Sequence, residues 1–275
     1  MRPFISFLTD FGADSAAAIC RGVMLGIAPD AQIVDISHSV RKYAIRDGAF
    51  LLWSALRWMP VGVHVAVVDP GVGTARRPIG VLTGRGDILI GPDNGLLMPA
   101  ADQLGGITAV RELENPDWML PHRSATFHGR DVFAPVAAHL AIGGRFADVG
   151  RALDPASLQM LRFPDATVRD GALETSVRYI DSFGNVRLAG TRQDLTEAVG
   201  TLNSGLRLRV EFAPDGDAPP IAEDASWART FGEIPLGAPL VYEDSFGELA
   251  YADNQSSVAD RLGIALDRGV RITPA

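Results

Sequence analysis

The sequence predicts an α/β fold, with an N-terminal α/β domain on a largely parallel sheet and a smaller, mostly β, barrel-like C-terminal domain. Three observations predict it. In the first half, apolar β-branched runs alternate with helix-length amphipathic segments, the pattern of a parallel sheet covered by helices. In the second half, short strand-like runs are separated by glycine, proline and aspartate turns. Between the halves, the polar, proline-containing stretch Pro155 to Arg169 reads as a linker. We therefore divide the chain into residues 1–160 and 161–275.

In chain order, Phe4 to Leu8 reads as a strand, Ser15 to Ile27 as a helix and Gln32 to Ile36 as a strand. Ala44 to Trp58 reads as a helix and Val63 to Val68 as a buried strand, with further strands at Ile79 to Thr83 and Ile88 to Ile90. Val132 to Ile142 closes this region as a helix. Leu173 to Ile180, Leu206 to Phe212, Leu240 to Tyr242 and Val270 to Ile272 read as the strands of the second half, with an exposed loop over Ala213 to Pro220. There is no internal repeat and no low-complexity segment.

The 275 residues are 47% hydrophobic and 21% charged, which fits a globular protein with a sizeable core. Net charge is −8 without a basic run, so nucleic-acid binding has no electrostatic support. Cys20 is the single cysteine, expected as a small buried side chain, so no intrachain disulfide can form. No segment has the length of a membrane span, nor does the N-terminus have a signal-peptide core. The expected setting is the cytoplasm.

Two stretches carry the chemistry. VVDPGVGTARR places Asp69, a glycine-rich turn and Arg76 directly after the buried Val63 to Val68 strand. TFHGRD places His128, Arg130 and Asp131 just ahead of a helix. Open α/β sheets bind ligands at the carboxyl ends of their strands, where an Asp, an Arg and a His could activate water. Asp10 also follows a strand, and reads equally as a ligand of a ribose diol or as a helix cap. Asp14 and Ser15 in the same loop could cap the following helix. DPGVG and GPDNGL match neither the phosphate loop nor the dinucleotide fingerprint, and the latter reads as a turn. Asp10, Asp69, Asp93 and His128 lack metal-site spacing, so no metal is expected. YIDSFGNVR and YEDSFGELAYADNQSS could grip a purine with an aromatic ring and an amide, but the residues alone favour hairpin turns.

Taken in order, LTDFG, DISHSV, VVDPGVGTARR, GPDNGL, TFHGRDVFAPVAAHLA and YIDSFGNV resemble the S-adenosylmethionine hydroxide adenosyltransferases, relatives of the fluorinating and chlorinating enzymes. The resemblance implies a homotrimer with active sites at subunit interfaces, no cofactor, and a water-activating triad at Asp69, Arg76 and His128. It further implies ribose binding by Asp10 and methionine contacts at Ser15, Asp181 and Ser245. Adenine contacts fall on Phe183, Asn185 and the backbone near Asn254, with Tyr43 at an aromatic pocket position. Halogenating relatives typically carry tyrosines where Asp69 and His128 stand. The C-terminal pattern departs from the family, reading Asp244-Ser245-Phe246 and Asn254-Gln255-Ser256-Ser257. The implied activity is hydrolysis of S-adenosyl-L-methionine to adenosine and L-methionine. The alternatives are a halogenase, a non-catalytic binder of the same molecule, and a metal-dependent hydrolase.

Overall fold

The computed structural model describes residues 2–216 and 219–275. The chain forms two compact units, Met1–Arg162 and Phe163–Ala275.

The first unit begins with β1 (Phe4–Thr9), α1 (Ala16–Ile27), β2 (Gln32–Ser37), α2 (Ile45–Leu56) and β3 (Val63–Val67). β4 (Pro78–Thr83), β5 (Ile88–Pro92), α3 (Met98–Gln103), β6 (Ile107–Glu112) and α4 (Ala134–Ala141) follow. The sheet order is β2-β1-β3-β5-β4-β6. Pairing is parallel from β2 through β5, and antiparallel where β4 meets β5 and β6. β3 is buried at every position because helices cover both faces. On one face Ile5, Phe7, Val65 and Val67 pack against Ala17, Cys20 and Met24 of α1 and Val136, Ala137 and Leu140 of α4. On the other, α2 lies so close that a Cβ at Gly48 would meet Val68 Cγ2 at 2.8 Å and Leu96 Cδ1 at 2.9 Å. The chain leaves β1 for β2 on one side and returns to β3 on the other. The carboxyl ends of β1 and β3 therefore flank the point where strand order reverses, the crevice in which such sheets bind ligands.

The stretch expected as a linker is ordered at both ends. Residues Pro155–Ser157 form a short helical turn, held by Arg77, which donates from Nη2 to the Ser157 carbonyl at 2.6 Å. Thr167–Arg169 is already a strand, β7.

The second unit continues with β8 (Ala172–Ile180), β9 (Val186–Leu188), α5 (Arg192–Val199), β10 (Arg207–Phe212) and β11 (Ile221–Trp227). β12 (Pro239–Glu243), β13 (Leu249–Asp253), α6 (Val258–Leu262) and β14 (Gly269–Pro274) complete it. Among the described residues the strands run β14-β10-β11-β12-β13-β9-β8, and β8 pairs back onto β14, closing a barrel with β7 outside it. Every pair in this ring is antiparallel except β11–β12. Val177, Val210, Phe212, Trp227, Tyr251 and Ile272 fill its interior. The tetrapeptide DSFG makes two of its hairpin turns. Asp181 accepts from Phe183 N at 2.9 Å and Asn185 N at 3.0 Å, and Asp244 from Phe246 N at 2.7 Å and Glu248 N at 3.1 Å. In each, the aspartate caps the turn and a glycine takes the left-handed conformation. The loop expected over residues 213–220 is exposed where described; residues 217 and 218 lie outside the described residues.

Candidate active site

Asp69 stands two residues past the end of β3, and the turn after it bends the chain back. Val72 N donates to the Asp69 carbonyl at 3.2 Å, and Thr74 Oγ1 to the Gly71 carbonyl at 2.7 Å. Gly73, at φ +77°, lets the turn dock against the loop ahead of His128: a Cβ there would lie 2.6 Å from the Ala125 carbonyl oxygen. This fold-back lays Arg76 on Asp69. Nε donates to Asp69 Oδ1 at 3.0 Å and Nη2 donates to Oδ2, a two-pronged pair in which both side chains are buried. The guanidinium lies over the Phe133 ring, 5.3 Å from its centroid.

Arg76 Nη2 also meets His128 Nδ1 at 3.1 Å. A guanidinium can only donate, so Nδ1 accepts, and the neutral ring carries its proton on Nε2. Burial lowers the His128 pKa and the Arg76 charge lowers it further, against Asp69 and Asp131, which raise it. The imidazole is therefore neutral at neutral pH.

Asp10 follows β1 across the same crevice. Its Oδ2 accepts from Tyr43 N at 2.9 Å, and Tyr43 adopts φ +66° and is 69% exposed. A cavity of about 170 Å³ brings Asp10, Tyr43, Asp69 and His128 together, with Phe11 and Phe127 among its walls. Their rings meet edge to face at 5.8 Å. Sequence reasoning passed over these two aromatics, although each adjoins a residue it singled out. Ser15 stands at the N-terminus of α1, exposed, with a helical backbone and no capping hydrogen bond from its side chain, and does not line this cavity.

GPDNGL acts as scaffold. Asp93 accepts from Arg77 Nε and from Gln159 N, both at 2.9 Å. Asn94 Nδ2 donates to the Val68 carbonyl at 2.9 Å, fixing the chain one residue before Asp69. Among the described residues, no group of three His, Cys, Asp or Glu side chains is placed to hold a metal ion. No helix among them is long and apolar enough to cross a membrane.

The second unit has a larger cavity, about 580 Å³, with Asp181, Phe183 and Asn185 on its lining together with Phe231, Asn254 and Ser257. Phe183 is 78% exposed. Asn185 Nδ2 donates to Asp181 Oδ2 at 3.0 Å, so the turn holds its own amide in place. Asn254 turns its amide inward, donating from Nδ2 to the carbonyls of Phe231 at 3.0 Å and Ile234 at 2.6 Å. Ser245 is exposed in the other DSFG turn and does not line the cavity. Phe231 and Ser257 were not foreseen. Ser257 had a legible signal, the S-x-x-D pattern of a helix start, and its Oγ accepts from Asp260 N at 3.1 Å.

The chain is similar to known proteins along nearly all of its length. The S-adenosylmethionine hydroxide adenosyltransferase N-terminal domain matches residues 5–150 and the C-terminal domain matches residues 175–271. The chain is 45% identical to an (R)-S-adenosyl-L-methionine hydrolase of Salinispora arenicola, covering 98% of each chain. It is 32% identical to a fluorinase of an Actinoplanes species, covering 99% of this chain and 98% of that one. The crystal structure of an uncharacterized conserved protein from Thermotoga maritima superposes with a TM-score of 0.88 at 32% identity, covering 98% of this chain and 99% of that one. The chain belongs to the S-adenosylmethionine hydroxide adenosyltransferase family.

Proposed function

We propose that this protein hydrolyses S-adenosyl-L-methionine to adenosine and L-methionine, by in-line attack of water on the ribose C5′. The relatives' name specifies the R configuration at sulfur, and we extend that preference to this chain. The observation that carries the reading is the convergence of Asp69 and His128 on one small cavity with Asp10, with Arg76 hydrogen-bonded to both.

The oxygen–C5′ bond forms as the C5′–sulfur bond breaks, and the electron pair goes to sulfur. The leaving thioether is neutral, so it needs no acid. Charge on sulfur disappears in the transition state, so a water-poor cavity favours the reaction. His128 offers an N–H donor at Nε2, which holds the water oxygen and leaves the water protons to Asp69. Asp69, paired with Arg76, takes the proton and passes it to solvent. Arg76 keeps the acid and the imidazole in one fixed geometry. Both Asp69 oxygens are already held by Arg76, a poor donor set for a metal ion, and a neutral leaving group calls for no Lewis acid. The reaction we propose is metal-independent and uses no cofactor.

We assign Asp10 to the ribose hydroxyls, and Tyr43 to a wall of the same pocket. Phe183, Asn185 and the Asn254 region are assigned to adenine, and Ser15, Asp181 and Ser245 to the methionine end. On this reading residues 1–160 carry the catalytic groups and residues 161–275 contribute adenine and methionine contacts. We further propose a cytoplasmic homotrimer with active sites at subunit interfaces. The exposure of Tyr43 and Phe183 at their cavities supports the interfacial sites, and the single buried thiol of Cys20 supports the compartment. The test is incubation with both sulfur epimers of S-adenosyl-L-methionine, with and without chelator and chloride. Chelator-insensitive release of adenosine and methionine is expected. A 5′-chloro nucleoside would make it a halogenase, and binding without turnover a non-catalytic binder.

A further inference from the structure

The motif that delivers His128 runs on into Arg130 and Asp131, which have no part in the chemistry above. Asp131 is fully buried. Burial would push its pKa up, but the Arg130 fork and the Ser124 N–H pull it below its ordinary value, so it is ionised. Arg130 donates from Nε to Asp131 Oδ1 at 2.6 Å and from Nη2 to Oδ2 at 2.9 Å. Ser124 N donates to the same Oδ2 at 2.8 Å, and Leu120 N to the Asp131 carbonyl at 3.0 Å. The Arg130 guanidinium lies over Phe127, 4.9 Å from its centroid. The ion pair thus grips the chain ahead of His128 at residues 124 and 127, while the Asp131 main chain holds residue 120. The grip coincides with a π-helical turn, Gly129–Phe133, whose wider ring displaces His128 from the register a plain helix would impose. A buried carboxylate is costly to maintain on structural grounds alone, since an apolar residue of its size packs as well.

We propose that Asp131, together with Arg130, is a positioning residue for the hydrolysis. The pair fixes the 124–127 segment so that His128 keeps Nδ1 on Arg76, and it sets a negative charge near the imidazole. This inference rests on the hydrolase reading above. Four charged groups act on the ring. Arg76 and Arg123 favour its neutral form, while Asp69 and Asp131 favour the charged one. Removing the Asp131 charge therefore makes the ring harder to protonate.

The experiment compares wild type, Asp131→Asn, His128→Ala and the double variant in rate, with the His128 ring titration followed by NMR. Misplacing a catalytic group by about an ångström costs up to roughly a hundredfold. Asp131→Asn is expected to lower kcat roughly 10- to 100-fold with KM nearly unchanged, and to move the ring titration to lower pH. The double variant should be no slower than His128→Ala, because the two residues act as one unit. Arg130→Lys, at a more exposed position, keeps the charge but loses the fork, and should also lower kcat at constant KM. An additive loss in the double variant, or an unmoved His128 titration, overturns the proposal. Absence of wild-type turnover would defeat the hydrolase reading instead, and the ring titration would still test the electrostatic part.

Discussion

His128 and Asp69 are both plausible proton acceptors on chemical grounds, and the direction of one hydrogen bond separates them. With Nδ1 held by Arg76 at 3.1 Å, the ring can act as a donor at Nε2, which in the proposed reaction leaves the base role to Asp69. His128→Gln can reproduce both contacts, its carbonyl accepting from Arg76 and its amide donating to water. It should keep activity well above Asp69→Asn, which is expected to lose roughly 10²- to 10⁴-fold. Initial-rate assays decide; equal inactivity of the two would return the base role to His128. The same bond fixes the pH dependence. The His128 pKa lies below its ordinary 6.5, and protonation would turn Nδ1 into a donor facing Arg76. Activity should therefore be full near pH 7 and fall on the acid side only below pH 6.5, and His128→Gln should lack that limb. Asp69, Arg76 and His128 were legible in the sequence because each sits in a short motif beside a strongly apolar element. The inward turn of the Asn254 amide was not legible, since its partners Phe231 and Ile234 are more than 19 residues away in the chain.

The helix read from Val132 starts earlier, in the π-helical turn at Gly129, and that turn has a steric requirement. A Cβ at Gly129 would meet Phe11 Cζ at 2.9 Å and Cys20 Sγ at 3.6 Å. Gly129→Ala should therefore push the Phe11 ring within the catalytic cavity. We expect a rise in KM of several-fold, with the fold retained by circular dichroism; an unchanged KM would mean that the ring yields elsewhere. The parallel strands were legible because burial on both faces writes continuous apolar runs, as in VHVAV. Several barrel strands were not. β9 has three residues, and β11 carries two adjacent acids, Glu223 and Asp224, the second paired with Arg209 of β10. β13, LAYAD, is buried throughout and lies inside a motif whose turn chemistry dominated its reading. The antiparallel edge at β4 and β6 had no local signature, because strand direction is set by partners distant in sequence.

At the scale of the whole molecule, the proposed trimer makes activity depend on association. Light scattering should return three times the 29.3 kDa chain mass. If each site draws residues from two copies, mixing Asp69→Asn with Asn185→Ala under subunit exchange should restore part of the activity that each lacks. No recovery, with exchange verified by mass spectrometry, would place each site within one copy. The barrel carries an obligation of its own. Among the described residues seven strands close its ring, an odd number. Up and down can alternate without a break only around an even ring, so an odd one must seat two like-directed neighbours side by side. Here they are β11 and β12. A tight turn cannot join like-directed strands, so the chain must travel the length of the barrel between Trp227 and Pro239. That passage carries Phe231 to the cavity and the carbonyls that Asn254 holds. Part of the cavity wall is thus a matter of arithmetic: with one strand more or fewer, the ring could close without the passage that supplies it.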